Sequence, residues 1–353
     1  MKLGGDNAIH HLCWLFSLLS ITGAQAQVGI NYGRVANNLP SPSTAVSLIK
    51  SLGIDRVKIF DADSQVLAAL ANTSIKVSIM VRNQDIPGIA SNASHADSWV
   101  AQNVVHHYPA THIATILVGN EILSDTSIKS STWPALVPAM ENIFASLQAR
   151  NLTAKIKVST PLASDALSTS YPPSAGAFHS EIATSVIQPL LAFLAKTGSS
   201  YHANVYPYFA YAGNSGQISL EYALFGSGST VVQDGSLGYR DLLDAMVDST
   251  FAAMERLGYG DIPLVISETG WPSAGDSGQV GASVDNAQLY NARLAKKVAS
   301  SQGTPKRPGV SIPTYIFALF NENEKSGAGT ERNFGIFYPS GSRVYDLNLS
   351  GKS

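Results

Sequence analysis

Eight times along the chain, a short apolar run rich in β-branched residues gives way to a stretch with helical spacing. That alternation limits the possible folds more than any compositional fact. The runs are "VGINYG" (28–33), "RVKIFD" (56–61), "KVSIMV" (76–81), "HIATILVGNE" (112–121), "IKVSTPLA" (156–163), "YHANVYPYFAY" (201–211), "PLVISETGW" (263–271) and "TYIFALFNE" (314–322). Helical stretches punctuated by Ser, Pro and Gly lie between them, such as "SPSTAVSLIKSLG" (41–53) and "YRDLLDAMVDSTFAAMERLG" (239–258). Repeated strand–helix units lay their strands parallel, so the pattern predicts an α/β fold: one (β/α)8 TIM barrel, a single domain over 27–353. An open doubly wound sheet is the rival. It would call for a nucleotide fingerprint after the first strand, and "NYGRVANN" is not one. A Gly- and Ser-rich insertion after strand 6, Ala212 to Gly238, predicts a hairpin-like subdomain from "ISLEYALF" and "STVVQDG".

The first 26 residues read as a secretory signal peptide. Lys2 precedes an apolar core from Leu12 to Ile21, and Ala24-Gln25-Ala26 supplies the cleavage pattern. The core is too short to span a bilayer, so no transmembrane segment is expected. The single cysteine, Cys13, lies in this leader, which leaves the mature chain without disulfides or a thiolate ligand. The net charge of −2 comes with no basic stripe, so nucleic acid is not an expected partner. Sequons at Asn72, Asn92, Asn151 and Asn348 predict glycosylated surface loops. His106, His107 and His202 show no metal-ligand spacing, so neither metal nor cofactor is expected.

In such a barrel the active face is at the C-terminal strand ends. There the fourth run ends on Asn120-Glu121, and the seventh carries Glu268 within "SETGW". A carboxylate at a strand end is expensive to bury unless it is paired, protonated or needed. Either glutamate alone could be a rim ion pair. Two of them across one bowl suit a glycosidic bond, where one carboxylic acid protonates the leaving oxygen and the other supports the charge growing on the sugar. A gap of about 5–5.5 Å would give retention and a wider one, about 6.5–9.5 Å, inversion.

With "GINYGR", "VGNE", "NVYPYF", "VISETGWPSAG", "FALFNENEK" and "ERNFGIFYP" in place, nearly the whole mature chain resembles glycoside hydrolase family 17. These are the plant and fungal β-1,3-glucanases, and the plant enzymes are the nearer match. The resemblance implies a barrel that hydrolyses β-1,3-glucan with retention, with Glu121 as acid/base and Glu268 as nucleophile. It also implies that Glu322 and Lys325 lie beside that pair and tune it. Asn120 is suited to donate to the sugar 2-hydroxyl, Tyr206 to hold Glu268, and Tyr32 to line the floor. Tyr208, Trp271 and Phe334 are expected as cleft walls, with Phe320, Asn204 and Arg332 as further binding candidates. Phe334 stands where many relatives carry Trp. The expected protein is a secreted monomer of the cell wall or vacuole acting on β-glucan polymers or oligosaccharides. An endo-1,3-β-glucanase leads the readings. A mixed-linkage 1,3;1,4-β-glucanase, a transglycosylase and a non-catalytic glucan-binding protein are the alternatives.

Overall fold

The computed structural model describes residues 28–349. The expected leader and Cys13 lie outside the described residues. Each apolar run supplies one barrel strand: β1 Val28–Tyr32, β2 Arg56–Ile59, β3 Lys76–Val81 and β4 His112–Val118. β5 comes in two halves, Lys157–Ser159 and Pro161–Ala163. β6 Tyr201–Asn204, β7 Leu264–Thr269 and β8 Thr314–Ile316 complete the set. All neighbours pair parallel, and β1 pairs both β2 and β8. Closure on the far side passes through β5, whose first half pairs β4 and whose second half pairs β6. The sheet therefore has no open edge, as a (β/α)8 barrel requires.

Helices cover the outside, and their starts are written in the sequence. Ser41 Oγ accepts from Thr44 N ahead of Pro42–Ser51, and Asp63 accepts from Gln65 N and Val66 N ahead of Ser64–Leu70. Asp241 and Ser283 cap Leu242–Arg256 and Val284–Ser300 in the same way. Strand residues Val57, Ile59, Val77 and Ile79 are fully buried, as are Ile49, Leu67 and Leu294 on the helices. This shared apolar layer supplies most of the driving force for folding.

The structure departs from the sequence reading in several places. "YPYFAY" is not strand: β6 stops at Asn204, and Pro207–Gly213 is a helix. Proline has no N–H for a ladder and is favourable in a first helical turn, where Pro207 stands. In the insertion, "ISLEYALF" gives one helical turn, Leu220–Ala223, capped by Ser219. The hairpin forms later, between Val232–Asp234 and Leu237–Tyr239, with Gly235 at the φ of +59° that its two-residue turn needs. The connection between β5 and β6 also holds a small antiparallel ribbon, Leu167–Thr169 against Ala177–Phe178. Asn72, Asn92, Asn151 and Asn348 are all exposed. Among the described residues no helix is long and apolar enough to cross a membrane.

Candidate active site

Loops after the strands enclose a groove of about 710 Å³ at the C-terminal face, and both Glu121 and Glu268 line it. Glu121 reaches it through an unusual turn. Gly119, at φ +74°, has no room for a side chain, because a Cβ would lie 2.7 Å from Ile122 and Ile86. Asn120 follows, with its N–H donated to Asn83 Oδ1 at 2.8 Å and its carbonyl accepting from Asn83 Nδ2 at 3.0 Å. Glu121 itself has φ +49°, a region that non-glycine residues seldom occupy. Its N–H donates to Pro161 O, in the second half of β5. The carboxylate Oε1 accepts from Asn204 Nδ2 at 2.8 Å.

Burial, and then the charge of Glu268, push the Glu121 pKa up to about 7. Glu121 thus keeps a proton where an ordinary carboxyl has lost it. The stability consequence has a definite sign. Between pH 4.5 and 7 the folded chain holds a proton that the unfolded chain releases, so this group lowers stability as pH rises through that window. Glu121→Gln is expected to leave the unfolding midpoint unchanged below pH 4.5. Above pH 7 it should stabilise the fold by on the order of 3 kcal/mol. Thermal unfolding across pH checks both ends.

Glu268 sits within β7 and is 5% exposed. Lys58 Nζ, from β2, donates to its Oε1 at 2.6 Å, and the Tyr206 hydroxyl donates to its Oε2 at 2.7 Å. Tyr206 is held as a neutral phenol because burial and the neighbouring carboxylates push its pKa well up. Both oxygens of Glu268 are thereby directed, one by a cation and one by a phenol.

Glu322 is buried at the edge of the groove. Its Oε1 accepts from Val35 N at 2.7 Å, fastening the loop after β1 to the loop after β8. Gly33 must be glycine for this, since a Cβ there would lie 2.5 Å from both carboxylate oxygens. Lys325 Nζ is 3.9 Å from Glu322 Oε2 and 4.2 Å from the centre of the Phe317 ring. Burial raises the Glu322 pKa, and Lys325 opposes the rise. Glu331 lines the groove as well, its pKa also raised by burial.

The aromatic wall differs from the one expected. Five rings lining the groove run in contact: Phe209, Tyr206, Phe334, Phe317 and Phe60, with centroid spacings of 5.3 to 6.2 Å for the pairs 209–206, 206–334, 334–317 and 317–60. Phe209 is the most open of them, at 44% exposure. Trp271 does not face the groove. It is fully buried behind the wall, 5.2 Å from Tyr208 and 5.5 Å from Tyr290, and its Nε1 donates to Gly281 O. Tyr208 is buried beside it, and Tyr32 and Phe320 pack edge-on against each other in the core. None of these four lines the groove. Arg332 turns away to donate to the carbonyls of Lys325 and Gly327 and brace their loop. Asn120, Asn204, Tyr206, Glu322, Lys325 and Phe334 line the groove with the two glutamates.

Sequence reasoning missed Lys58, Phe60, Phe317 and Glu331. Among the described residues no group of His, Cys, Asp and Glu is placed to hold a metal ion.

Known proteins share both sequence and fold. The chain is 48% identical over 331 residues to probable glucan endo-1,3-beta-glucosidase A6 of Arabidopsis thaliana, covering 93% of this chain and 69% of that one. It is 42% identical to the probable glucan endo-1,3-beta-glucosidase At4g16260 of the same plant, covering 96% and 94%. Among solved structures, CJP38, a beta-1,3-glucanase and allergen of Cryptomeria japonica pollen, superposes with a TM-score of 0.87 at 46% identity, over 92% of this chain and 99% of that one. One from a study of two plant beta-glucan endohydrolases with distinct substrate specificities gives 0.84 at 40%, over 91% and 99%. The family signature described as "Glycosyl hydrolases family 17" runs through residues 28–349, the same span whose loops bring Glu121 and Glu268 to one groove, and the chain belongs to that family.

Proposed function

We propose that this chain cleaves β-1,3-glucan internally and with retention at the anomeric carbon. The observation that carries this is the meeting of two unlike carboxyl groups in one groove: Glu121, whose pKa is pushed up to about 7, and Glu268, paired with Lys58 and hydrogen-bonded by Tyr206. Glu121 protonates the glycosidic oxygen as Glu268 attacks the anomeric carbon, giving a glycosyl-enzyme. Glu121, now an anion, takes a proton from water, and that water displaces Glu268. Asn204, which donates to Glu121 Oε1, keeps that carboxyl oriented through both steps. The names of the related Arabidopsis proteins favour 1,3-linkages.

Product profiles on laminarin and on barley mixed-linkage glucan test the reading. Oligosaccharides from laminarin, first released as β-anomers, are expected. Cleavage of mixed-linkage glucan alone would overturn the linkage assignment, and products longer than the substrate would mark transfer to sugar in place of water. We infer further that the mature chain is a secreted monomer, with its exposed sequons open to glycosylation.

The wall rings give a separable expectation. Phe209→Ala removes an exposed ring face that lines the groove. It should raise KM for laminarin by about 5- to 30-fold with little change in kcat, as loss of roughly 1–2 kcal/mol of uniform binding does. Phe334 is 2% exposed within the wall, and Phe334→Ala should instead cost about 3–5 kcal/mol of stability. Trp271→Phe should leave KM alone and lower unfolding stability by about 1–3 kcal/mol, since it opens a void in a packed core.

A further inference from the structure

Lys58 lies deeper than any other charged group of the site, its side chain 1% exposed inside the barrel. We propose that Lys58 is a positioning residue that balances the single negative charge of the Glu121–Glu268 pair in both halves of the reaction and turns Asn120 so that its amide faces the sugar. This inference rests on the two-glutamate reading above.

Its surroundings leave it that task. Glu268 Oε1, on β7, accepts its hydrogen bond at 2.6 Å, and Asn120 Oδ1, after β4, lies at 3.5 Å. The ring of Phe60 is 4.7 Å away. Glu121 after β4 and Lys325 after β8 also act on it. His202 on β6 is neutral, its pKa driven to about 3 by burial and then by Lys58 itself. Tyr206 keeps its proton, and Lys325 is committed to Glu322 and the face of Phe317. Glu322 and Glu331 both feel Glu268 across the groove, and Lys325 offsets each. Burial pulls the Lys58 pKa down, while Glu268 and Glu121 hold it up. A buried ammonium is stable only beside such an anion.

The charges can be followed through the cycle. At rest Glu268 is anionic and Glu121 protonated. As the Glu268 oxygen bonds to the anomeric carbon, the glycosidic bond breaks and the Glu121 proton goes to the leaving oxygen. Glu268 is then a neutral ester and Glu121 the anion. Water next bonds to that carbon, its proton goes to Glu121, and the ester bond breaks. Lys58 faces one negative charge in each resting state. Because it holds Asn120 by the carbonyl end, the NH2 end is left to donate to the 2-hydroxyl.

The test compares wild type, Lys58→Met and Lys58→Arg by the pH profile of kcat/KM on laminarin. Lys58→Met keeps the volume and removes the charge. Its acidic limb should move up by about one pH unit or more, the shift a neighbouring cation exerts on a carboxylate, and its kcat should fall at least about tenfold. Lys58→Arg should keep the limb near the wild-type position. An unmoved limb in Lys58→Met overturns the proposal. So that poor folding cannot mask the answer, unfolding midpoints at pH 7 are compared in a second pair. Lys58→Met should lower the midpoint in the wild-type background and not in the Glu268→Gln background. An equal drop in both would make Lys58 a packing residue and sink the idea. Failure of the wild-type chain to hydrolyse laminarin is a different result and overturns the function instead.

Discussion

Glu268→Gln removes laminarin hydrolysis, with an expected kcat loss of about 10⁴- to 10⁶-fold, the range seen when an enzyme loses its nucleophile. The size follows from the mechanism: without an attacking carboxylate no glycosyl-enzyme forms, and only binding and the acid remain. Azide rescue checks the role as well as the loss. With an aryl β-laminaribioside carrying a good leaving group, Glu268→Ala plus azide should give the α-glycosyl azide, because azide attacks in the place of the missing side chain. A β-azide from that variant would assign the nucleophile elsewhere.

Glu121→Gln is expected to show a split that depends on the leaving group. On laminarin, whose leaving oxygen must be protonated, the loss should be about 10²- to 10⁴-fold, the usual contribution of general acid catalysis. On a dinitrophenyl β-laminaribioside, formation of the glycosyl-enzyme should change little, and its hydrolysis should become limiting and show as a burst. In wild type, kcat/KM should fall as pH rises past about 7, where Glu121 loses its proton. The variant should lack that limb. An equal loss on both substrates would remove Glu121 from the acid role.

Much of this site was legible because strand ends and punctuation are local signals. Glu121 and Glu268 each follow an apolar run, and Gly119 announces the turn that aims the first of them. The rest needed the barrel's geometry. Residues two apart on a strand share a face, so Arg56, Lys58 and Phe60 lie on one side of the β2 line and Val57 and Ile59 on the other. In an open sheet the charged side would be the solvent side. In a barrel sheathed by helices it is the lumen, which is why Lys58 reads as surface and is buried. The same parity corrects Trp271. Glu268 and Gly270 point one way along β7 and its extension, and Thr269 and Trp271 the other, toward Tyr290, whose hydroxyl lies 2.6 Å from Thr269 Oγ1. Tyr208 could not be placed by parity at all, since Pro207 had already begun a helix.

The tie between Glu322 and Val35 joins residues 287 positions apart. Contacts of such long range form slowly, because the intervening chain must be gathered first. A ribosome that has delivered residues up to 300 has delivered both reacting glutamates, yet neither β8 nor the carboxylate that pins the first loop exists. Competence to cut polymer therefore arrives only once the chain has been made through β8 and Glu322, and shorter nascent fragments lack a finished groove.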